Sequence, residues 1–142
     1  MSASVIVDAS VAVKWLVKEE DVESALFLLE RAEEIHAPKI LLGEVANAIW
    51  KKVRRQDLTV ETGDEALRLL PNYLTATFEV AHLMSAAFQM ACAHDHPVYD
   101  CLYLAGAAQF DMPLVTADAR LVRKFARTRL ARHIIPLSQW RP

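Results

Sequence analysis

Two short apolar runs that lead into carboxylates, one near each end of the chain, most constrain what this sequence can fold into. Near the start, Ser4-Val-Ile-Val runs into Asp8; near the end, Met112-Pro-Leu-Val-Thr116 is followed at once by Ala117 and Asp118. Runs of this length, rich in β-branched residues and without polar alternation, read as buried strands. Between them the pattern switches repeatedly to helical spacing. Ser10 caps an apolar stretch through Val17, and Asp21 opens a stronger helix with Val22, Ala25, Leu26, Leu29 and Ala32 on one face. Further helices are predicted over 40–55, from the Thr59 cap to Leu70 before Pro71, over 81–94, over 98–110 and from Asp118 to about Thr128. Ile35-His-Ala-Pro38 is extended because the residue before a proline avoids helix. Thr75 to Val80 and His133 to Leu137 have strand composition. Strands alternating with helices demand a parallel sheet covered on both sides. The expectation is one domain over residues 1–142, a three-layer α/β/α sandwich with a central parallel sheet.

Composition agrees with this and removes several function classes. With 142 residues, 54% of them hydrophobic and 24% charged, the chain is long and apolar enough for a real core, which excludes disorder. Cys92 and Cys101 lie in Ala-rich apolar surroundings with no zinc-type spacing, so both read as buried thiols of a reducing compartment. The N-terminal MSASVIVDAS has neither a basic leader nor a long apolar segment, so no signal peptide is expected. No apolar run reaches the roughly 20 residues that span a bilayer. A cytoplasmic protein without membrane attachment is the expectation. The net charge of −2 gives no sign of nucleic acid, but its distribution does. Acids crowd 19–34, whereas after Asp118 there is no acid and Arg120, Arg123, Lys124, Arg127, Arg129, Arg132 and Arg141 follow. Such an end is either a footprint for a polyanion or a solvated basic face.

Four acids carry the chemical argument. Asp8 and Asp118 stand where strands end, the place where open α/β sheets bind ligands, although either is equally a helix cap. Glu44 lies among Leu41, Leu42, Val45, Ala46, Ala48 and Ile49, and Asp100 in Val98-Tyr-Asp-Cys-Leu-Tyr-Leu-Ala. An acid on a core-facing helical stripe costs several kcal/mol unless it is paired or binds a metal. Two such acids plus two at strand ends are most simply explained by one hard divalent cation site, Mg²⁺ or Mn²⁺, which takes carboxylate oxygens and orients a water. Asn47, one turn beyond Glu44, shares its face. Ser10 and Thr116, two residues from Asp8 and Asp118, suit a supporting shell, or else are an ordinary cap and an ordinary strand threonine.

These segments together have a recognisable order. Val-Ile-Val-Asp8-Ala-Ser10-Val-Ala-Val-Lys-Trp, then Pro38-x-x-Leu-Leu-Gly-Glu44-Val-Ala-Asn47-Ala-Ile, then Tyr99-Asp100-Cys-Leu-Tyr-Leu-Ala, then Leu-Val-Thr116-Ala-Asp118-Ala-Arg-Leu resembles the PIN domain family. Within it the chain is similar to the VapC toxins of toxin–antitoxin pairs. The resemblance implies a Mg²⁺- or Mn²⁺-dependent ribonuclease with Asp8, Glu44, Asp100 and Asp118 as an acidic quartet. It also implies a homodimer and a VapB-like antitoxin partner. Asp118 is the position at which the family varies most. An antitoxin helix would lie in a groove between the 21–34 and 40–55 helices, against Leu26, Leu29, Ile49 and Trp50. Arg120, Arg123 and Lys124, directly after Asp118, are candidates for RNA phosphate contact.

Other readings stay open at this level: a PIN-domain nuclease with a housekeeping RNA or DNA substrate, or a binding module that keeps the fold without the chemistry. A phosphatase of the doubly wound kind is disfavoured, because Ala-Ser-Val rather than a second nearby acid follows Asp8. Asp95 reads as a turn residue and the five histidines as surface residues. Trp15, Trp50 and Trp140 read as core or interface anchors, and Lys14 as either a phosphate contact or a solvated lysine.

Overall fold

The computed structural model describes residues 3–142. Strands β1 (Ser4–Val7), β2 (Glu34–Pro38), β3 (Ala76–Phe78), β4 (Leu114–Thr116) and β5 (Ile134–Pro136) form one sheet in the order β3-β2-β1-β4-β5, parallel at every pairing. Successive side chains of a strand point to opposite faces, and Val5, Ile6 and Val7 are all buried, so helices cover both faces of the central strand. This is the three-layer α/β/α arrangement expected. Among the described residues seven α-helices supply the outer layers: α1 (Ala9–Leu16), α2 (Val22–Arg31), α3 (Ile40–Arg54), α4 (Val60–Leu69), α5 (Met84–His94), α6 (Val98–Phe110) and α7 (Ala119–Phe125). Helix α6 is the most deeply set, with every residue from Cys101 to Ala107 buried. Gly106 permits this: a Cβ there would meet the Phe78 ring of β3 at 2.8 Å.

Local chemistry sets several boundaries differently from the sequence pattern. Asp8, not Ser10, is the N-cap of α1, because its extended backbone turns the chain and its carboxylate accepts from the Val11 amide. Asp21 precedes α2 in the left-handed region, at φ 60°, and makes no side-chain cap bond; its carboxylate accepts instead from the Ser24 hydroxyl. Leu70 to Tyr73 tighten into a 3-10 turn at Pro71. Helix α7 stops at Phe125 rather than Thr128, since the Thr128 hydroxyl donates to the Phe125 carbonyl and caps a new 3-10 turn over Arg129–His133. Of the two cysteines expected to be buried, Cys101 is and Cys92 is exposed.

Candidate functional site

From β1 the chain builds outward through β2 to β3, then returns to place β4 and β5 on the other side of β1. The reversal falls between β1 and β4, and the crevice beyond the carboxyl ends of two such strands is where open parallel sheets bind ligands. Asp8 directly follows β1, and Asp118 lies two residues beyond β4.

A hydroxyl network ties these two strand ends together. Asp8 Oδ1 accepts from the Ser10 hydroxyl at 2.5 Å and from the Val11 amide at 3.4 Å, and Oδ2 accepts from the Thr116 hydroxyl. The Ala117 amide donates to Ser10 Oγ at 2.9 Å and the Asp118 amide to Thr116 Oγ1 at 3.0 Å. Thr116 is 1% exposed, a buried polar side chain whose bonds all serve this junction. Burial pushes the Asp8 carboxyl up to about 6, against the lowering pull of these donors and with added repulsion from Asp100.

Glu44 comes from the second turn of α3 and is half-buried. Its Oε1 accepts from the Tyr103 hydroxyl at 2.6 Å, and burial, reinforced by Asp100, raises its pKa despite that bond. Asp100 lies in the first turn of α6, and its Oδ2 is 2.7 Å from His96 Nε2. The His96 side chain is only 14% exposed and packs edge-on against Phe125. Asp118 caps α7, its Oδ1 accepting from the Arg120 amide at 2.9 Å and the Leu121 amide at 3.3 Å. Asp118 and Asp100 face one cleft of about 430 Å³, together with Asp95, His96, Pro97, Arg120 and Lys124.

Glu44, Asp100 and Asp118 thus share a feature. Each commits one carboxylate oxygen to a protein donor, while the other has no protein partner among the described residues. Among the described residues no buried side-chain oxygen is left without a partner, so these second oxygens reach accessible space. Among the described residues no lysine or arginine forms an ion pair with Asp8, Glu44, Asp100 or Asp118, and the one partner of that kind is His96 on Asp100. Carboxylates with oxygens left open and no lysine or arginine partner among the described residues fit a hard cation in the chemistry of their donors. Among the described residues no three His, Cys, Asp or Glu side chains already stand together as a metal-binding group. An ion of the Mg²⁺ kind needs only one or two carboxylates and keeps waters and phosphate oxygens for the rest.

The remaining sequence candidates separate. Ser10 and Thr116 hold Asp8. Asn47 is exposed and makes no side-chain hydrogen bond among the described residues. Arg120 and Lys124 line the cleft with Asp100 and Asp118. Arg123 instead lines a neighbouring cleft with Lys14, Thr116, Ala117 and Pro136. Lys14 is occupied, its ammonium donating to the Glu20 carbonyl at 2.6 Å beside Glu19. Of the expected groove residues, Ile49, which is buried, and Trp50, which is exposed, line an apolar groove with Val53 of α3 and Val60, Gly63 and Leu67 of α4. That groove lies between α3 and α4 rather than between α2 and α3.

Sequence reasoning missed Tyr103 and His96. Tyr103 sits where an apolar stripe would take phenylalanine as readily, and a buried tyrosine hydroxyl demands a partner. His96 stands four residues before Asp100, across a proline, where the reading as a surface turn hid the pairing.

A family model for the PIN domain matches residues 5–127. Ribonuclease VapC3 of Pyrobaculum aerophilum is 34% identical over 122 residues, covering 84% of this chain and 93% of that protein. In fold, the chain is similar to PAE2754 from Pyrobaculum aerophilum, with a TM-score of 0.70 and 21% identity over 96% of this chain and 91% of that one. It is also similar in fold to a chain of VapBC2 from Rickettsia felis bound to a promoter DNA fragment, with a TM-score of 0.66 and 14% identity over 97% and 99%.

Proposed function

The chain belongs to the PIN domain family, as a member of the VapC type, and from that premise we propose that it is a divalent-metal-dependent endoribonuclease, the toxin of a toxin–antitoxin pair. What supports the metal-dependent chemistry is that these carboxylates are held by hydroxyls, amides and one imidazole and that, among the described residues, no lysine or arginine is ion-paired to them. Asp8, Glu44, Asp100 and Asp118 are the residues that would hold Mg²⁺ or Mn²⁺. When bound, such a cation supplies Lewis acidity toward a water and the scissile phosphate. Ser10 and Thr116 fix Asp8, so its oxygens do not swing when charge arrives. Arg120 and Lys124, on the wall of the same cleft, give the flanking phosphates their counter-charge.

The name of the Rickettsia felis complex supports a VapB-like antitoxin as partner. The apolar groove between α3 and α4, with Trp50 51% exposed, is the surface we assign to an antitoxin helix. Met84 and Phe88 of α5 are among the exposed large apolar residues that a homodimer could cover. The first test is cleavage of a structured RNA by purified protein freed of any bound partner. Cutting with Mn²⁺ or Mg²⁺ that stops with EDTA is the expected result. Cutting undiminished by chelation, or none with either ion, overturns the reading.

A further inference from the structure

Tyr103 is 1% exposed, in the middle of the buried stretch of α6, between the buried Leu102 and Leu104. A phenylalanine would fill that space without a polar atom to satisfy. The phenol instead ends 2.6 Å from Glu44 Oε1, 59 residues away in sequence and on another helix. It also lies in the field of Asp8 and Asp100. Its proton has one acceptor in reach, and Glu44 Oε2 has no protein partner among the described residues.

We propose that Tyr103 is a positioning residue of the cation site: its hydroxyl pins Glu44 through Oε1 and so presents Oε2 to the ion. The inference rests on the metal-nuclease reading. Glutamate has three side-chain torsions, and holding one oxygen removes much of the rotamer freedom that an ion would otherwise have to freeze. Groups that orient a metal ligand from behind are typically worth about 10- to 100-fold in affinity.

The test is a double-mutant cycle on Mn²⁺ affinity, read from the electron paramagnetic resonance of free Mn²⁺ in wild type, Tyr103→Phe, Glu44→Gln and the double variant. Tyr103→Phe keeps the ring and removes only the hydroxyl. The expected result is Mn²⁺ binding weakened by about tenfold in the wild-type background and unchanged by the same substitution once Glu44 is Gln. Cleavage by Tyr103→Phe should recover most of its kcat at saturating Mn²⁺, with the deficit in the Mn²⁺ dependence. Affinity equal to wild type, or the same loss with and without the Glu44 carboxylate, overturns the proposal. Were Tyr103→Phe to fail to fold, Tyr103→Met, flexible enough to fill the space, takes its place in the cycle. A wild type that binds no Mn²⁺ defeats the metal reading itself, an outcome distinct from intact wild-type binding that ignores Tyr103.

Discussion

A carboxylate buried without a cationic partner leaves a mark on stability as pH changes, and Asp8 carries it. In the unfolded chain this group titrates near 3.8, while in the fold it keeps its proton to about 6. Between those values the native state holds more protons than the unfolded one, so stability falls as pH rises through the window and the penalty is complete above it. The full gap corresponds to ~3 kcal/mol against the ionised native state. Asp8→Asn should remove that penalty while keeping the α1 cap, because asparagine caps as well as aspartate. Metal-free Asp8→Asn is predicted to melt higher than wild type at pH 7 and to lose most of the stability slope between pH 4 and 6. An Asn variant that melts lower at pH 7 would mean that the carboxylate's bonds to the Ser10 and Thr116 hydroxyls outweigh the cost of burying its charge. At this scale the acids were legible because charge in an apolar helical stripe is anomalous. Tyr103 and His96 were not, since a tyrosine among leucines and a histidine at a turn each violate nothing until their partners are known.

In the proposed reading, helix α7 is the element that joins cleavage to binding. Asp118 caps it, and one turn presents Arg120 and Lys124 to the acid cleft while Arg123 faces the cleft beside Lys14. Each phosphate contact adds ~0.7 to the slope of log affinity against log salt for a single-stranded nucleic acid. Arg120→Ala with Lys124→Ala is predicted to weaken RNA binding and to flatten that slope by about 1.4, twice the single-contact value. A slope equal to wild type would return both residues to the role of a solvated face. The basic run was readable from the sequence, but its division between two clefts was not, because that depends on where α7 stops. The Thr128 hydroxyl, which ends the helix early, competes for the backbone in a way that helical spacing does not reveal. The exchange of Ser10 for Asp8 as the α1 cap has the same origin: both residues can cap, and only the meeting with Thr116 decides which does.

For the molecule as a whole, alternation of strand and helix was enough to specify a parallel sheet with covered faces, since β-branched runs such as Val5-Ile-Val7 have no other place to go. Strand order was not legible, because the return that sets β4 beside β1 is a contact between residues more than a hundred positions apart. The site inherits that limit: four acids could be nominated from the sequence, but the hydroxyl bridge between β1 and β4 that orients Asp8 could not. The α3–α4 groove is likewise a product of packing, and it carries a prediction of its own. Expressed alone, the protein should arrest growth, and a co-expressed antitoxin should relieve the arrest. Trp50→Glu should leave the arrest and abolish the relief, whereas relief equal to wild type would place the partner elsewhere. The central claim is that Asp8, Glu44, Asp100 and Asp118 form one cation site, and thermal melting with and without Mn²⁺ tests it most directly. Bound ion should raise the wild-type melting temperature by mass action, and Asp8→Asn or Asp100→Asn should lose most of that rise along with nuclease activity. Asn variants that keep the full Mn²⁺-induced rise would contradict the shared site.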